Sequence, residues 1–241
     1  MQSQWPHNPQ PQAPPRRRPP ATPATRTIVA LILGGFALEV LTGAWSNPAR
    51  LVALGAIYPE AVFGHGEWWR LLSAIFLHGD GTISGTFLHL IVNLISLTQL
   101  GRLYEQMFGT RRFVLIYIVA GLSGSLASLY HLPWFGSSVG ASGAIFGILG
   151  AFIFSIRRSP RFRRERWAKN LVAQCVFWGV ANLILGFQVA NIDNAGHIGG
   201  LVAGLLLGAI LPHRVPPPSP GSSVIDVVQS GADPAARTDD R

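Results

Sequence analysis

Residues 194–212 read NAGHIGGLVAGLLLGAILP, a run that contains no Asp, Glu, Lys or Arg. As a helix, a run of this length can cross the hydrocarbon core of a bilayer, which is about 30 Å thick. Charged residues make up only 12% of the chain, whereas soluble domains contain about 25%. We therefore predict an all-α integral membrane protein with six transmembrane helices, placed at residues 27–45, 84–104, 112–132, 140–157, 170–188 and 194–212.

The two ends of the chain differ in composition from the six apolar runs. Residues 1–26 contain eight prolines, and residues 213–241 are rich in Pro, Ser and Asp. Such segments cannot bury enough apolar surface to fold, so we predict disordered tails at both ends. One membrane domain, residues 27–212, lies between them. Its first apolar run lacks a small-residue cleavage site, so we expect this run to be retained.

The basic residues are unevenly distributed between the two faces of the six-span arrangement. Seventeen Lys and Arg fall on the face that holds both ends of the chain, and two, Arg50 and Arg70, fall on the other. Positively charged loops stay on the cytoplasmic side of a membrane. We therefore predict that both termini lie in the cytoplasm. We also expect a multi-pass protein of a bacterial plasma membrane.

The net charge of +8 does not by itself indicate a nucleic-acid partner, because the basic residues follow the membrane topology. The most basic loop is RRSPRFRRERWAK, residues 157–169. Its charges are suited to contact with anionic lipid headgroups, so we favour the lipid bilayer as its partner. Nucleic-acid binding by this loop is the weaker alternative.

Three polar clusters lie within the predicted spans, where such groups are costly and indicate function. The second span contains HLIVN, residues 89–93, and the fourth begins with GASGAIFG, residues 140–147. The sixth begins with NIDNAGHIGGLVAG, residues 191–204. All three spans run inward from the outer face, and each cluster lies in the outer half of its span. The topology therefore predicts that the clusters share one depth.

The spacing within the clusters favours a pair formed by Ser142 and His197. Small residues accompany both, including Gly143 and Gly200, and small residues allow membrane helices to approach closely. A serine becomes a nucleophile when a base takes its proton, and histidine titrates in the useful range. The pattern therefore predicts a serine activated by a histidine.

His89 and Asn93 are four residues apart and share one helix face. Together with the Ser142 backbone N–H near a helix N-terminus, they are candidate donors to a developing oxyanion. Taken singly, a Gly-Ala-Ser-Gly stretch is more often helix packing, and a membrane histidine is more often structural. Their joint occurrence at one depth, with His89 and Asn93 as a third element, favours catalysis.

These clusters resemble the signature of the rhomboid family of intramembrane serine proteases: GxSG on the fourth core helix, HxxxN on the second, and a histidine followed by small residues on the sixth. GEWWRL, residues 66–71, followed by FLH at 76–78, is similar to the family's first loop. EQMFG, residues 105–109, is similar to the ExxxG that ends its second helix. The resemblance covers roughly residues 27–212.

The resemblance implies six helices around a polar cavity open to the outside, with Ser142 as the nucleophile and His197 as the general base of a dyad. The implied substrates are single-span or polytopic membrane proteins, and no cofactor or metal is implied. Phe146 stands where some members have a Tyr against the catalytic imidazole, and we expect Phe to stack there. The family works without an acid, so we expect Asp193 mainly to cap the sixth helix, with orientation of His197 as the weaker alternative.

Two features depart from the resemblance. The stretch 79–87 is longer than in compact members, so the rim of the cavity is not predicted. Glu39, in the middle of the first predicted span, has no counterpart. We expect it to hydrogen-bond inside the bundle, with a substrate-facing role as the alternative.

Two other classes of function remain open. A six-span transporter or channel would need polar groups along a full path, but the inner halves of the fourth and sixth spans, residues 148–154 and 205–210, are apolar. A rhomboid-like protein that binds clients without cleaving them usually lacks the Ser or the His. Both residues are present here, so we favour the protease.

The distribution of basic residues makes the topology testable. Reporters fused near Arg164 and at the C-terminus should both be cytoplasmic, and a reporter near Gly55 should be extracytoplasmic. Enzyme reporters that are active in only one compartment measure this in intact cells. Opposite locations for the two termini would contradict the six-span arrangement.

Overall fold

The structure is a computed structural model that describes residues 21–79, 82–188 and 192–211. The described residues form nine α-helices and no β-strand, which confirms the predicted all-α class. The predicted tails lie outside the described residues except for positions 21–26, and so do residues 80 and 81 of the long stretch 79–87. In chain order the helices are α1 (Pro23–Thr42), α2 (Pro48–Leu54), α3 (Arg70–Ser73), α4 (Ile83–Ser96), α5 (Arg102–Phe108), α6 (Thr110–His131), α7 (Ser142–Arg158), α8 (Arg166–Gln188) and α9 (Asn194–Ile210).

Three of these helices, α1, α6 and α8, are long and apolar enough to cross a membrane. α9 is a shorter apolar helix of 17 residues, and α7 has the same length but ends in two arginines. α4 continues through a π-helical turn, Leu97–Gly101, into α5, so one helical path covers the second predicted span. Helices thus lie at all six predicted positions, and the number of membrane crossings stays a prediction.

The closest packing in the bundle is between α7 and α9, and glycine makes it possible. A Cβ on Gly200 would overlap the carbonyl oxygen of Gly143, and a Cβ on Gly204 would overlap the carbonyl oxygen of Gly147. Only residues without a side chain let two helix backbones meet in this way. The close approach predicted for the fourth and sixth spans is therefore confirmed. α6 packs against both helices and completes the centre of the bundle.

The N-terminus of α1 is capped by a side chain from another helix. Glu105 of α5 is 3% exposed and accepts the backbone N–H groups of Ala24 and Thr25 at 3.0 and 2.9 Å. It also accepts the hydroxyl groups of Thr25 and Thr110 at 2.7 and 2.8 Å. Because these bonds satisfy the first N–H groups of the helix, α1 begins at Pro23, inside the stretch predicted to be a disordered tail.

The connection between α1 and α4 is held by one buried arginine. Arg70 is 6% exposed, and its guanidinium donates to the Glu67 carboxylate at 2.6 Å and to the Ala56 carbonyl oxygen at 3.1 Å. The next residue after Ala56, Ile57, exchanges two backbone hydrogen bonds with Ser138, at 3.0 and 3.1 Å. This connection is therefore tied to the loop that leads into α7.

Substitution of Gly204 tests the contact between α7 and α9. In Gly204→Ala the methyl group must displace the Gly147 carbonyl oxygen, so the two helices must separate. We expect a loss of roughly 1–3 kcal/mol, the usual cost of overpacking, seen as a lower melting temperature in detergent. Gly34→Ala is the matched control, because it also adds a methyl group to a glycine of a long apolar helix, and nothing lies within 4 Å of that Cβ. Equal melting temperatures for the two variants would contradict a tight contact.

Candidate active site

Ser142 is the first residue of α7, and His197 lies in the first turn of α9. The Ser142 Oγ is 2.9 Å from the His197 Nε2. At this distance the hydroxyl can donate to an unprotonated Nε2, which places the ring proton of the neutral imidazole on Nδ1. His197 is only 8% exposed, so the imidazole is largely shielded from water. The structure thus brings the two predicted residues into hydrogen-bonding contact.

The two residues meet because a glycine stands beside each of them. Gly143 follows the serine and Gly196 precedes the histidine, and a Cβ on Gly143 would lie 3.1 Å from the Gly196 carbonyl oxygen. With no side chain between the two helix starts, the helices lie close enough for the Ser142 and His197 side chains to form a hydrogen bond. The small residues around Ser142 and His197 are therefore part of the geometry of the pair.

Phe146, one turn after Ser142, stacks on the His197 imidazole. The ring centroids are 4.4 Å apart and the planes differ by 13°. This confirms the stacking predicted for a Phe at this position, and it covers one face of the imidazole. The His197 Nδ1 is buried and has no hydrogen-bond partner within the described part of the chain.

Asp193 caps α9, as predicted. Its Oδ1 accepts the Gly196 N–H at 2.8 Å, and its Oδ2 accepts the Ser138 hydroxyl at 2.7 Å and also the Ser128 hydroxyl. Both carboxylate oxygens are therefore engaged with groups other than the His197 ring. The capping role is confirmed, and in this geometry Asp193 is not the third member of a triad.

His89 lies on the side of Ser142 that faces the preceding loop. Gly140, two residues before the serine, has a φ of 132°, and a Cβ at this position would lie 2.8 Å from the His89 Nε2 and 3.7 Å from the Ser142 Oγ. Only glycine readily adopts such a backbone conformation, and it also leaves room for the imidazole. His89 is therefore placed where a donor to an oxyanion at Ser142 would be useful.

His78 is a second imidazole beside His89. It is fully buried, and the two ring centroids are 5.1 Å apart. Burial, and to a smaller extent the neighbouring His89, lowers the pKa of His78 to about 3. His78 is therefore neutral at physiological pH. In the sequence, His78 belongs to the stretch that resembles a family's first loop, and no role at the site was predicted for it.

Asn93 lies one turn after His89 on the same face of α4, as its spacing predicted. It is 4% exposed, and its Nδ2 donates to the His89 carbonyl oxygen at 2.9 Å. The amide therefore bonds to its own helix in this conformation and makes no described contact with Ser142 or His197. Of the four predicted site residues, three are brought together and Asn93 stands one turn away.

A small cavity of about 20 Å³ lies beside the serine. Its lining includes Ser142, Asp193 and three hydroxyl side chains from α6 and the following loop, at Ser125, Ser128 and Ser138. This volume is about that of one water molecule. These serines were not predicted as site residues, because they lie outside the polar clusters of the second, fourth and sixth spans. The wider cavity open to the outside stays a prediction.

Within residues 21–79, 82–188 and 192–211, no three His, Cys, Asp or Glu side chains are arranged to hold a metal ion. A serine activated by a histidine supplies its own nucleophile, so the chemistry suggested by the geometry requires neither a metal nor an organic cofactor.

The chain is similar to known proteins. A family model described as the Rhomboid domain matches residues 65–214 of the chain. The chain is 39% identical over 187 residues to rhomboid protease GluP of Bacillus subtilis (strain 168), an alignment that covers 78% of this chain. It is 40% identical over 159 residues to RHOMBOID-like protein 5 of Arabidopsis thaliana, covering 66% of this chain. It is 32% identical over 169 residues to the putative rhomboid protease YdcA of Bacillus subtilis, covering 68% of this chain.

These relatives differ in length. The alignment covers 34% of GluP, 48% of RHOMBOID-like protein 5 and 78% of YdcA. The chain thus spans about a third of the first relative and about half of the second. The similarity to these two therefore concerns a part of each protein.

Covalent labelling tests the contact between the two residues without any substrate. A fluorophosphonate should label Ser142, because His197 can take the hydroxyl proton as the phosphorus is attacked. His197→Ala should abolish labelling, since the hydroxyl then stays protonated. Asp193→Asn is the control: it alters a residue on the same turn of α9 that does not bond to the imidazole. Mass spectrometry of the labelled peptide locates the adduct, and an adduct on another serine would contradict the assignment.

Proposed function

Since the chain belongs to the rhomboid family, we propose that it is an intramembrane serine endopeptidase that uses Ser142 and His197 as a catalytic dyad. The observation that carries this proposal is the hydrogen bond of 2.9 Å between the Ser142 Oγ and the His197 Nε2. The pair lies at the starts of two packed helices, and the His197 imidazole is largely shielded from water. In such surroundings a proton transfer between two fixed groups is favoured over exchange with solvent.

The proposed reaction has two halves. In the first, the His197 Nε2 takes the hydroxyl proton as the Ser142 Oγ attacks the carbonyl carbon of the scissile bond. The tetrahedral intermediate then collapses, the C–N bond breaks, and His197 gives its proton to the leaving amine. In the second half, water gives a proton to His197 and attacks the ester carbon. The C–Oγ bond breaks, the new carboxyl end leaves, and Ser142 regains its proton.

The developing oxyanion needs donors, and three groups are proposed. The Ser142 N–H is one, because the first N–H groups of α7 have no partner within the helix and the helix dipole favours negative charge there. The His89 imidazole is the second, supported by its position against Gly140. Asn93 is the third and most distant, and its Nδ2 carries a second N–H besides the one donated to the His89 carbonyl oxygen.

The proposed substrates are single-span or polytopic membrane proteins within the bilayer. A peptide bond in a helix is shielded by its own side chains and hydrogen bonds, so the substrate helix must unwind locally before Ser142 can attack it. We therefore propose cleavage in or near the outer part of a transmembrane helix, beside small or helix-weakening residues. The proposed setting is a bacterial plasma membrane with both termini of the chain in the cytoplasm.

Proteolysis by the purified, reconstituted protein tests the proposal. A model single-span substrate should be cleaved by the wild type and by Asp193→Asn, and it should stay intact with Ser142→Ala. His89→Ala should lower turnover by about 10²–10³-fold, and Asn93→Ala by about 10²-fold or less, since the other donors remain. Gel or mass-spectrometric assay of the cleaved products measures each rate.

Asn182 offers the matched control for Asn93. Its Nδ2 donates to the Trp178 carbonyl oxygen at 2.7 Å, the same bond to the fourth preceding residue, but on the exposed surface of α8. Asn182→Ala should therefore leave turnover unchanged. Full activity of Asn93→Ala would remove Asn93 from the site, and robust cleavage by Ser142→Ala would place the nucleophile elsewhere. Substrate binding without cleavage by the wild type would favour the client-binding alternative.

A further inference from the structure

Glu39 is a buried acid that the proposed mechanism does not use. It lies in the last turn of α1, closer to the helix end than the middle position predicted from the sequence. Its side chain is fully buried, although its neighbours Leu38 and Val40 are 47% and 48% exposed. Its Oε1 accepts the His78 backbone N–H at 2.6 Å, which confirms the expected hydrogen bond inside the bundle. An acid in such a position is costly, so its presence indicates a role.

This hydrogen bond gives a partner to a backbone N–H in a segment that has no regular secondary structure to supply one. After the 3-10 turn Ala74–Phe76 the backbone becomes extended at Leu77, and no strand lies beside it among the described residues. Buried N–H groups in such a segment need an acceptor from elsewhere in the fold. The Glu39 carboxylate supplies an acceptor for the His78 N–H, and the Gly79 N–H also hydrogen-bonds to this carboxylate.

The same face of α1 is shaped for this segment, residues 76–79. Gly35 is four residues before Glu39 and therefore on the same side of the helix. A Cβ on Gly35 would lie 2.6 Å from the Phe76 carbonyl oxygen, so the glycine is what allows the segment to lie against α1. Gly35 and Glu39 thus hold the segment against α1 at two points. Gly35 allows a close approach of the backbone, and Glu39 accepts a hydrogen bond.

The segment 76–79 is connected to the active site through the imidazoles of His78 and His89. The His78 ring is fully buried, with its centroid 5.1 Å from that of His89. His89 in turn borders Gly140, two residues before Ser142. Because a packed interior leaves little free space, a displaced His78 would let the His89 ring move as well.

We propose that Glu39 is a positioning residue: by accepting the His78 N–H it fixes the segment 76–79, and through the His78 ring it fixes the His89 imidazole beside Ser142. This inference rests on the proposed function, because it assumes that His89 takes part in turnover. Glu39 touches neither the substrate nor the reacting atoms in this role.

Two substitutions at Glu39 separate the hydrogen bond from the charge. Glu39→Gln keeps a carbonyl oxygen for the His78 N–H, and the Oε2 that it replaces has no partner among the described residues. We expect its kcat to stay close to that of the wild type. Glu39→Leu has a similar volume but no acceptor, and its kcat should fall by about 10²-fold, the cost of misplacing a catalytic group by about 1 Å. KM should change little, since substrate contacts remain.

Glu105 provides the matched control for a purely structural effect. It is also a buried carboxylate that accepts backbone N–H groups, but it does so at the opposite end of α1, and both its oxygens are used. Glu105→Gln should therefore lower the melting temperature. It should leave kcat unchanged at temperatures where the fold is intact. A loss of kcat in Glu105→Gln equal to that in Glu39→Leu would mean that loosening α1 anywhere is sufficient, and would overturn the proposal.

A double-mutant cycle with His89→Ala tests the route of the effect. If Glu39 acts through His89, adding Glu39→Leu to His89→Ala should cause no further loss of kcat. Losses that multiply would mean that Glu39 acts independently of His89, and they would overturn the proposal. Gly35→Ala pushes on the Phe76 carbonyl oxygen, at the other contact between the segment and α1. This variant should therefore reproduce the Glu39→Leu phenotype.

Hydrogen exchange gives a readout that does not depend on cleavage. In a Ser142→Ala background, Glu39→Leu should speed exchange at the His78 and Gly79 amides, and Glu39→Gln should not. Unchanged protection in Glu39→Leu would overturn the positioning contact. If the wild type fails to cleave the model substrate while this exchange result holds, the contact is supported and the proposed function is what has failed.

Discussion

The bundle depends on the direct contact of two helix backbones, α7 and α9. At Gly200 and Gly204 the second helix lies against carbonyl oxygens of the first, with no side chain between them. This contact sets the separation of the two helix starts, and the hydrogen bond between Ser142 and His197 spans that separation. Stability and site geometry therefore depend on the same atoms, because anything that parts the helices also lengthens the bond between the two residues.

Much of this could be predicted from the sequence because the signals are local or are fixed by the membrane. Small residues next to Ser142 and His197 predicted a close helix pair, and the structure contains it. Asp193 at a helix start predicted a cap. The stacked ring of Phe146 was expected from the family resemblance and not from a local signal. A membrane-spanning helix can vary in tilt and rotation but hardly in depth, so polar residues at one depth are already confined to one layer.

The rest could not be predicted, because it consists of side chains that reach the backbone or polar groups of a distant element. Glu105 caps α1 across 81 positions of the chain, and nothing in the composition of either segment indicates that they meet. Ser128 and Ser138 converge on one carboxylate although serines are common in both regions. For Asn93 the helix face was predictable, but its rotamer turns the amide toward its own helix, and local energies of that kind leave no periodic pattern.

The glycine contact also limits which substitutions can accumulate at these positions during evolution. When two side chains touch, a larger residue on one helix can be accommodated by a smaller one on the other, and the two positions change together. At Gly204 the partner is a main-chain oxygen of Gly147, which every amino acid possesses. No substitution at position 147 can make room, so compensating pairs of changes are not available there. Methods that infer proximity from correlated substitution will therefore find least signal at the closest helix pair in the molecule.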